Sequence, residues 1–346
     1  MDFDLTDVQA SWKEKGTALG RDLARDPAAA AVVMGAARVG LLDSNADLLA
    51  VAVAVEAMAS ESPAAAAIFA LHTGTALAVA GDHRFTSFFR GEAVAAVGLS
   101  SDDVPVEHDG RLSGRAAWVA PITDRGVAVV GPRPSTSSGR PESVEGRRVE
   151  DRIAFAVSLD APGVAIEPVR TAALQGLVCG HLTFTGADCT PIGATVPIMT
   201  RIRVLMGAVG LGIGRRALRE ALTTARAAHT AAAGEQTAQG LLADAATELD
   251  AAMLLTYKAA LAVGAMHTSW ARHVSPLLAD ASLAKLAATA AAQRAVERAT
   301  QVVGADSFQR GHIIERLAQD VRALELFAGR TEALRAAAAE ELLPPG

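Results

Sequence analysis

Residues 236–266 read Q-T-A-Q-G-L-L-A-D-A-A-T-E-L-D-A-A-M-L-L-T-Y-K-A-A-L-A-V-G-A-M, and their spacing decides the architecture. Leu242, Leu249, Met253, Tyr257 and Leu261 recur at intervals of seven and four, which places them on one face of a long helix. Outward from it, the segments 200–228, 276–303 and 313–342 are also long and helical, joined by short loops. Four such helices with short connections predict an antiparallel four-helix bundle over residues 196–346.

Before the bundle the pattern changes. Runs rich in valine, threonine and phenylalanine at 94–99, 116–120, 127–130, 153–159, 164–168 and 181–185 predict strands. His181-Leu182-Thr183-Phe184-Thr185 alternates polar and apolar, as a half-exposed strand does. Turn pairs such as Asp109-Gly110 and Pro162-Gly163 separate the runs, so residues 94–195 predict a small antiparallel β domain or barrel. Inside it, 132–152 reads P-R-P-S-T-S-S-G-R-P-E-S-V-E-G-R-R-V-E-D-R, with two valines as its large apolar residues. That stretch has too little to bury and is expected to be a flexible exposed loop.

Residues 1–93 are helical again. Thr6 and Gln9 have capping-box spacing, and Val8, Trp12, Leu19 and Leu23 follow at near-helical intervals. Asp26-Pro27 and Ser62-Pro63 each place a cap residue before a proline at a first helical position. The run 46–59 is apolar on most sides and predicts a buried helix, with another over 63–80. The expected fold class is α+β, mainly α: an N-terminal helical domain, a middle β domain and a C-terminal bundle.

Composition narrows the function. The chain of 346 residues is 51% hydrophobic with 4% aromatics, so alanine and the aliphatics must do the packing, which favours close-set helices. A net charge of −6 argues against a nucleic-acid partner. The two cysteines, Cys179 and Cys189, exclude a disulfide scaffold and a cysteine-based zinc module. Cys179 and His181 form a short pair with no second pair at ligand spacing, so both read as strand residues and no metal is expected. The stretch 48–58 is read as the most apolar of the chain and carries Glu56, so no membrane span is expected. The acidic opening Met-Asp-Phe-Asp is unlike a signal peptide, which gives a cytoplasmic expectation. Eight scattered histidines and no G-x-S-x-G elbow make serine-hydrolase chemistry a weak rival.

Helices, then a β domain of about a hundred residues, then a four-helix bundle is an uncommon order. It resembles the acyl-CoA dehydrogenase family over nearly the whole chain. The opening M-D-F-D-L-T-D-V-Q is similar to the family's first helix start, and Phe88-Phe89-Arg90-Gly91-Glu92-Ala93-Val94 to the segment leading into its β domain. Gly110-Arg111-Leu112-Ser113-Gly114-Arg115-Ala116-Ala117-Trp118 resembles the strand pair that ends in a flavin-side tryptophan. Gly207-Ala208-Val209-Gly210-Leu211-Gly212 resembles the glycine-rich opening of the first long bundle helix. Gln301-Val302-Val303-Gly304, Glu315-Arg316-Leu317-Ala318-Gln319-Asp320 and Glu325-Leu326-Phe327-Ala328-Gly329 continue the match. The resemblance implies FAD, an acyl-CoA thioester, and a glutamate that removes the proton α to the thioester carbonyl while the β hydride goes to flavin.

The chain departs from that pattern where the chemistry lies. The family's base precedes a glycine near the last helix, and here that position is Ala328; the alternative base position, before an arginine, is Thr200 followed by Arg201. Glu325 and Glu332 are the carboxylates nearest to Ala328 in sequence, with solvated helix faces as their plain explanation. The resemblance assigns FAD contacts to Ser100, Trp118, Arg226, Gln236, Gln301 and Gly304. Of these, Trp118 reads equally well as plain core, and Arg226 is followed by His229 and Thr230 where the family has phenylalanine and glycine. Three functions remain open: a non-catalytic partner or half-site subunit of a heteromeric acyl-CoA dehydrogenase, a stand-alone flavoprotein with altered chemistry, and an FAD-free structural or binding member of the fold. Each is expected to be a homo- or hetero-oligomer, through the alanine-rich bundle faces.

Overall fold

Thr6 caps the first helix as the spacing predicts: its Oγ1 accepts from the Gln9 N–H, and the Gln9 side chain accepts from the Thr6 N–H. The computed structural model describes residues 4–99, 104–124, 126–134, 153–227, 236–265 and 274–343. Its first region contains α1 (Asp7–Asp22), α2 (Ala29–Arg38), α3 (Leu48–Ala59), α4 (Pro63–Ala78) and the short α5 (Thr86–Arg90). Ser62 caps α4 ahead of Pro63, as expected. Asp26-Pro27 starts no helix, because α2 begins two residues after Pro27, at an Ala28 cap without a side-chain bond. On α1, Trp12 and Leu19 are buried and Val8 is exposed.

α3 and α4 are apolar all round because they are covered all round. Together with α6 they form one core that runs on into the C-terminal helices without a break. His72 on α4 ties this core to the sheets. Its Nε2 donates to the Phe88 carbonyl and its Nδ1 accepts from the Ala95 N–H, an arrangement that requires the neutral ring. Burial lowers its pKa to about 4, which keeps it neutral.

The middle region is two packed sheets. One has the order β1 (Val94–Gly98), β4 (Gly126–Val130), β6 (Ile153–Ser158), β9 (Thr190–Ala194). The other has β5 (Arg133–Pro134), β2 (Val106–His108), β3 (Arg111–Val119), β8 (Cys179–Asp188), β7 (Val164–Val169). The expectation of a purely antiparallel domain is corrected: β1 pairs β4 in parallel, and β2 pairs β5 in parallel. Leu112, Ala116, Val130, Leu182 and Phe184 fill the space between the sheets. The expected loop 132–152 is also corrected at its start, where Pro132 is buried and Arg133–Pro134 pairs with β2. Residues 135–152 lie outside the described residues.

The bundle is built from α6 (Thr195–Ala227), α7 (Gln236–Gly264), α8 (Val274–Val303), α9 (Ile313–Leu324) and α10 (Thr331–Leu342). The fourth predicted segment, 313–342, is therefore two helices, broken at a turn where Ala328 and Gly329 adopt φ of 58° and 113°. Positive φ ends a helix by redirecting the chain. Small residues set the seams. A Cβ at Gly212 would collide with the Glu56 carbonyl and the Ala59 methyl of α3, so α6 and α3 touch backbone to backbone. On α7 the buried stripe is Ala238, Ala245, Leu249, Ala252, Thr256, Ala259 and Val263. Of the predicted face, Leu249 is fully buried and Leu242, Met253 and Tyr257 pack against the core, while Leu261 is 54% exposed. The long helix to weigh against a membrane span is α6 rather than the shorter α3. α6 is long and apolar enough to cross a membrane by length and composition, and 89% of its most apolar window is buried inside the protein, as in a core helix.

Candidate functional site

The turn between α9 and α10 is held by two buried cations. Arg203 Nε on α6 donates to the Ala328 carbonyl at 3.1 Å, and Lys285 Nζ on α8 donates to the Gly329 carbonyl at 2.7 Å. Arg203 also donates to Ser282 Oγ at 3.3 Å, and that hydroxyl donates on to the Leu278 carbonyl. Cations inside a protein persist only where hydrogen bonds replace their hydration. Here the replacements are the backbone oxygens that a helix break leaves open. Burial, reinforced by the neighbouring Arg203 charge and opposed by Glu325, presses the Lys285 pKa down to about 7.

Thr200 stands one turn before Arg203 on the same helix, is buried, and donates its hydroxyl to the Val196 carbonyl at 2.7 Å. Arg201 beside it donates to the Pro197 carbonyl, with a pKa lowered to about 10 by burial. The structure thus brings Thr200 and Ala328, the two positions where a base is expected, to the same end of the bundle. Neither carries a carboxylate. Glu325 pairs with Arg322 at 3.7 Å, and Glu332 is exposed in the first turn of α10. Asp320 anchors α9 to the β region by accepting from the Leu174 N–H at 2.5 Å; burial raises its pKa to about 6.

Trp118 is not core. It is 55% exposed, at a register shift between Ala116 and Val119, with φ of 55°. A bulge with a left-handed non-glycine residue is costly backbone, and its effect here is to turn an indole outward. The Trp118 N–H donates to His181 Nδ1 at 3.4 Å, and the two rings meet edge to face at 5.5 Å. His181 therefore props the tryptophan. Its near neighbour Cys179 is buried, with a pKa raised to about 11 by desolvation. Among the described residues no cluster of His, Cys, Asp and Glu is placed to hold a metal.

The other expected contacts gather at the opposite end of the bundle. Gly207, Gly210 and Gly214 of α6 abut Ala284, Ala288 and Ala292 of α8, so the two helices run in register and in the same direction. Carried on, that register puts Arg226, in the last turn of α6, level with Gly304 at the close of α8. Gln301 is one turn earlier, and Gln236 opens the antiparallel α7 at the same end. Arg226, Gln236 and Gln301 are exposed, and Gly304 has φ of 75°. At about 1.5 Å per residue, Arg226 is roughly 35 Å along α6 from Arg203. Ser100, His229 and Thr230 lie outside the described residues.

Sequence reasoning missed Arg203, Ser282, Lys285 and His181. A signal existed for two of them: Arg203 and Lys285 are single cations set inside apolar runs, Ile202-Arg203-Val204-Leu205 and Leu283-Ala284-Lys285-Leu286. A charge at such a place must have a dedicated partner.

Comparison with known proteins bears on this geometry. Residues 194–343 match the family model described as acyl-CoA dehydrogenase, C-terminal domain. A probable acyl-CoA dehydrogenase of Bacillus subtilis is 30% identical over 145 residues, covering 41% of this chain and 36% of that protein. The chain thus matches the curated relatives over about a third of their length. Butyryl-CoA dehydrogenase from Megasphaera elsdenii superposes with a TM-score of 0.81 at 18% identity, covering 99% of this chain and 100% of that one. The FAD complex of PigA superposes with a TM-score of 0.80 at 18% identity, covering all of both chains. The resemblance read from the sequence therefore holds: the whole chain has the acyl-CoA dehydrogenase fold, and its C-terminal helices match the family's own domain.

Proposed function

We propose that this chain is a subunit of an acyl-CoA dehydrogenase-type flavoprotein heteromer that helps to complete an FAD site without supplying the catalytic base. The observation that supports it most is that Ala328, held by Arg203, and Thr200, one turn before Arg203, lie at the same end of the bundle and neither offers a carboxylate. Loss of a general base removes roughly 10²- to 10⁴-fold in rate. The cleft would then hold the thioester but not deprotonate it.

The described residues suit FAD in two separated halves. Trp118, turned outward and braced by His181, offers an aromatic wall to a flavin ring. Arg226, Gln236, Gln301 and Gly304 offer a cation, two amides and an open backbone suited to a pyrophosphate and adenosine. One FAD with its ring at the Ala328 turn cannot also span the roughly 35 Å to Arg226. The far end therefore serves the FAD of another copy or of a sibling that carries the base. Flavin, when bound, takes up the hydride from the β carbon of an acyl-CoA. What this chain contributes is binding and orientation through Trp118 and the far-end side chains, and a rigid turn through Arg203 and Lys285.

Purified alone, the chain is expected to be inert toward saturated acyl-CoAs, and to retain FAD only when mixed with a base-bearing sibling. Ala328→Glu is expected to restore little turnover by itself. Robust dehydrogenase turnover by the unmodified chain on its own would sink this reading.

A further inference from the structure

Behind the α9–α10 turn, a cavity of about 230 Å³ opens between α8 and the start of α10. Its polar lining is Lys285, Thr289, Gln293, Glu325, Thr331 and Arg335; no residue of the β sheets borders it. Several of these groups lack partners. The buried Lys285 ammonium makes one hydrogen bond among the described residues, to Gly329, so two of its N–H groups have no protein acceptor. The Thr289 hydroxyl is buried, with no partner at all. Arg335 makes no hydrogen bond or ion pair among the described residues. α10 begins without a side-chain cap, so its first N–H groups, at Thr331 and after, are also unmet.

Lys285 and Thr289 are buried donors with unmet capacity on one half-open cavity, with the exposed Arg335 at its rim, and buried polar groups are rarely left unsatisfied. We propose that this cavity binds a small carboxylate anion, held by the Lys285 ammonium, the Thr289 hydroxyl and the Arg335 guanidinium at the uncapped start of α10. The charge fixes the class. Two cations and Glu325 line the space, a surplus of one positive charge, which a monoanion neutralises and a phosphate dianion would overshoot against Glu325. Glu325 already has its own partner in Arg322, so it does not compete for Lys285 at contact distance. Burial holds the Lys285 pKa at about 7, so the lining carries its full surplus charge below that pH, where the anion is expected to bind best. A helix N-terminus adds its partial positive charge in the same direction. Through Lys285, the bound anion would also stiffen the Gly329 end of the turn.

This site is independent of flavin and of any sibling, so its test does not stand or fall with the proposed function. Acetate and propionate are titrated into the full chain at constant ionic strength, with chloride as control, while Tm and isothermal heats are followed. Saturable binding with a rise in Tm beyond chloride is expected, because a ligand held only by the folded state stabilises it. Arg335→Ala, at an exposed position, is expected to weaken acetate at least about tenfold; Thr289→Val should weaken it less. An acetate response no different from chloride, or wild-type affinity in Arg335→Ala, would overturn the site. Tighter binding of phosphate than of acetate would overturn the ligand class.

Discussion

The two ends of the bundle are built from the same three helices and differ in almost every physical respect. At the base end, Arg203 and Lys285 are buried and each gives one hydrogen bond to the backbone of a turn whose side chain is a methyl group. At the far end, Arg226, Gln236 and Gln301 are exposed and face outward. One end carries no carboxylate at its two expected base positions and is buried; the other is exposed and carries a cation and two amides. A chain can lose a reactive side chain without unfolding, since the fold here rests on the cations beneath the turn and on the alanine and glycine seams between the ends.

The contrast can be broken first in the shaft that separates the ends. Gly212→Ala drives a methyl into the Glu56 carbonyl and Ala59, and is expected to cost about 3 kcal/mol in denaturant unfolding. A wild-type stability would mean that α3 and α6 are not in backbone contact. Next comes pH, which reads the base end directly. Folded Lys285 gives up its proton near pH 7 and the unfolded chain near 10.5. Between those values the unfolded state binds more protons, so this group's contribution to stability rises with pH, by up to about 1.4 kcal/mol per unit. Lys285→Met should flatten that rise relative to wild type between pH 7 and 9. An unchanged slope would show that burial does not depress the Lys285 pKa.

The smallest expected effect sharpens the comparison most. Arg203→Met should cost about 2 kcal/mol, because it leaves the Ala328 carbonyl unpaired. Arg226→Ala should cost under about 0.5 kcal/mol, as exposed substitutions do, yet lower FAD retention in the mixed heteromer. If Arg226→Ala destabilised as much as Arg203→Met and left FAD retention intact, the division between the ends would be false.

Much of this was readable before any fold was seen. The capping box at Thr6 and the cap at Ser62 are local signals, set by bonds between residues three apart, and both are present. The turn at 325–330 was missed although Gly329 marks it, because an isolated glycine is tolerated inside a helical pattern and only the packing of α9 and α10 against α8 selects a break there. The face of α7 was read in its middle and missed at its end. Leu249 lies in the buried stripe, whereas Leu261 is exposed and alanines fill most of the seam. Trp118 had two equal readings, and the choice between them depended on a bulge whose register is set by β8, sixty residues on.

By itself, the sequence determined the order of helical, β and bundle regions, most of their elements, and the identity of the residues at the two base positions. These are local or compositional properties: periodicity, capping and the presence or absence of a carboxyl group. Tertiary structure alone decided that Ala328 and Thr200 lie at one end of the bundle, that Arg203 and Lys285 hold the turn between them, and that Arg226 and Gln301 lie at the other end of a long rod. Those facts depend on helix register and on which buried charge finds which carbonyl. Both are settled by close packing between elements far apart in the chain, where no local pattern records the outcome.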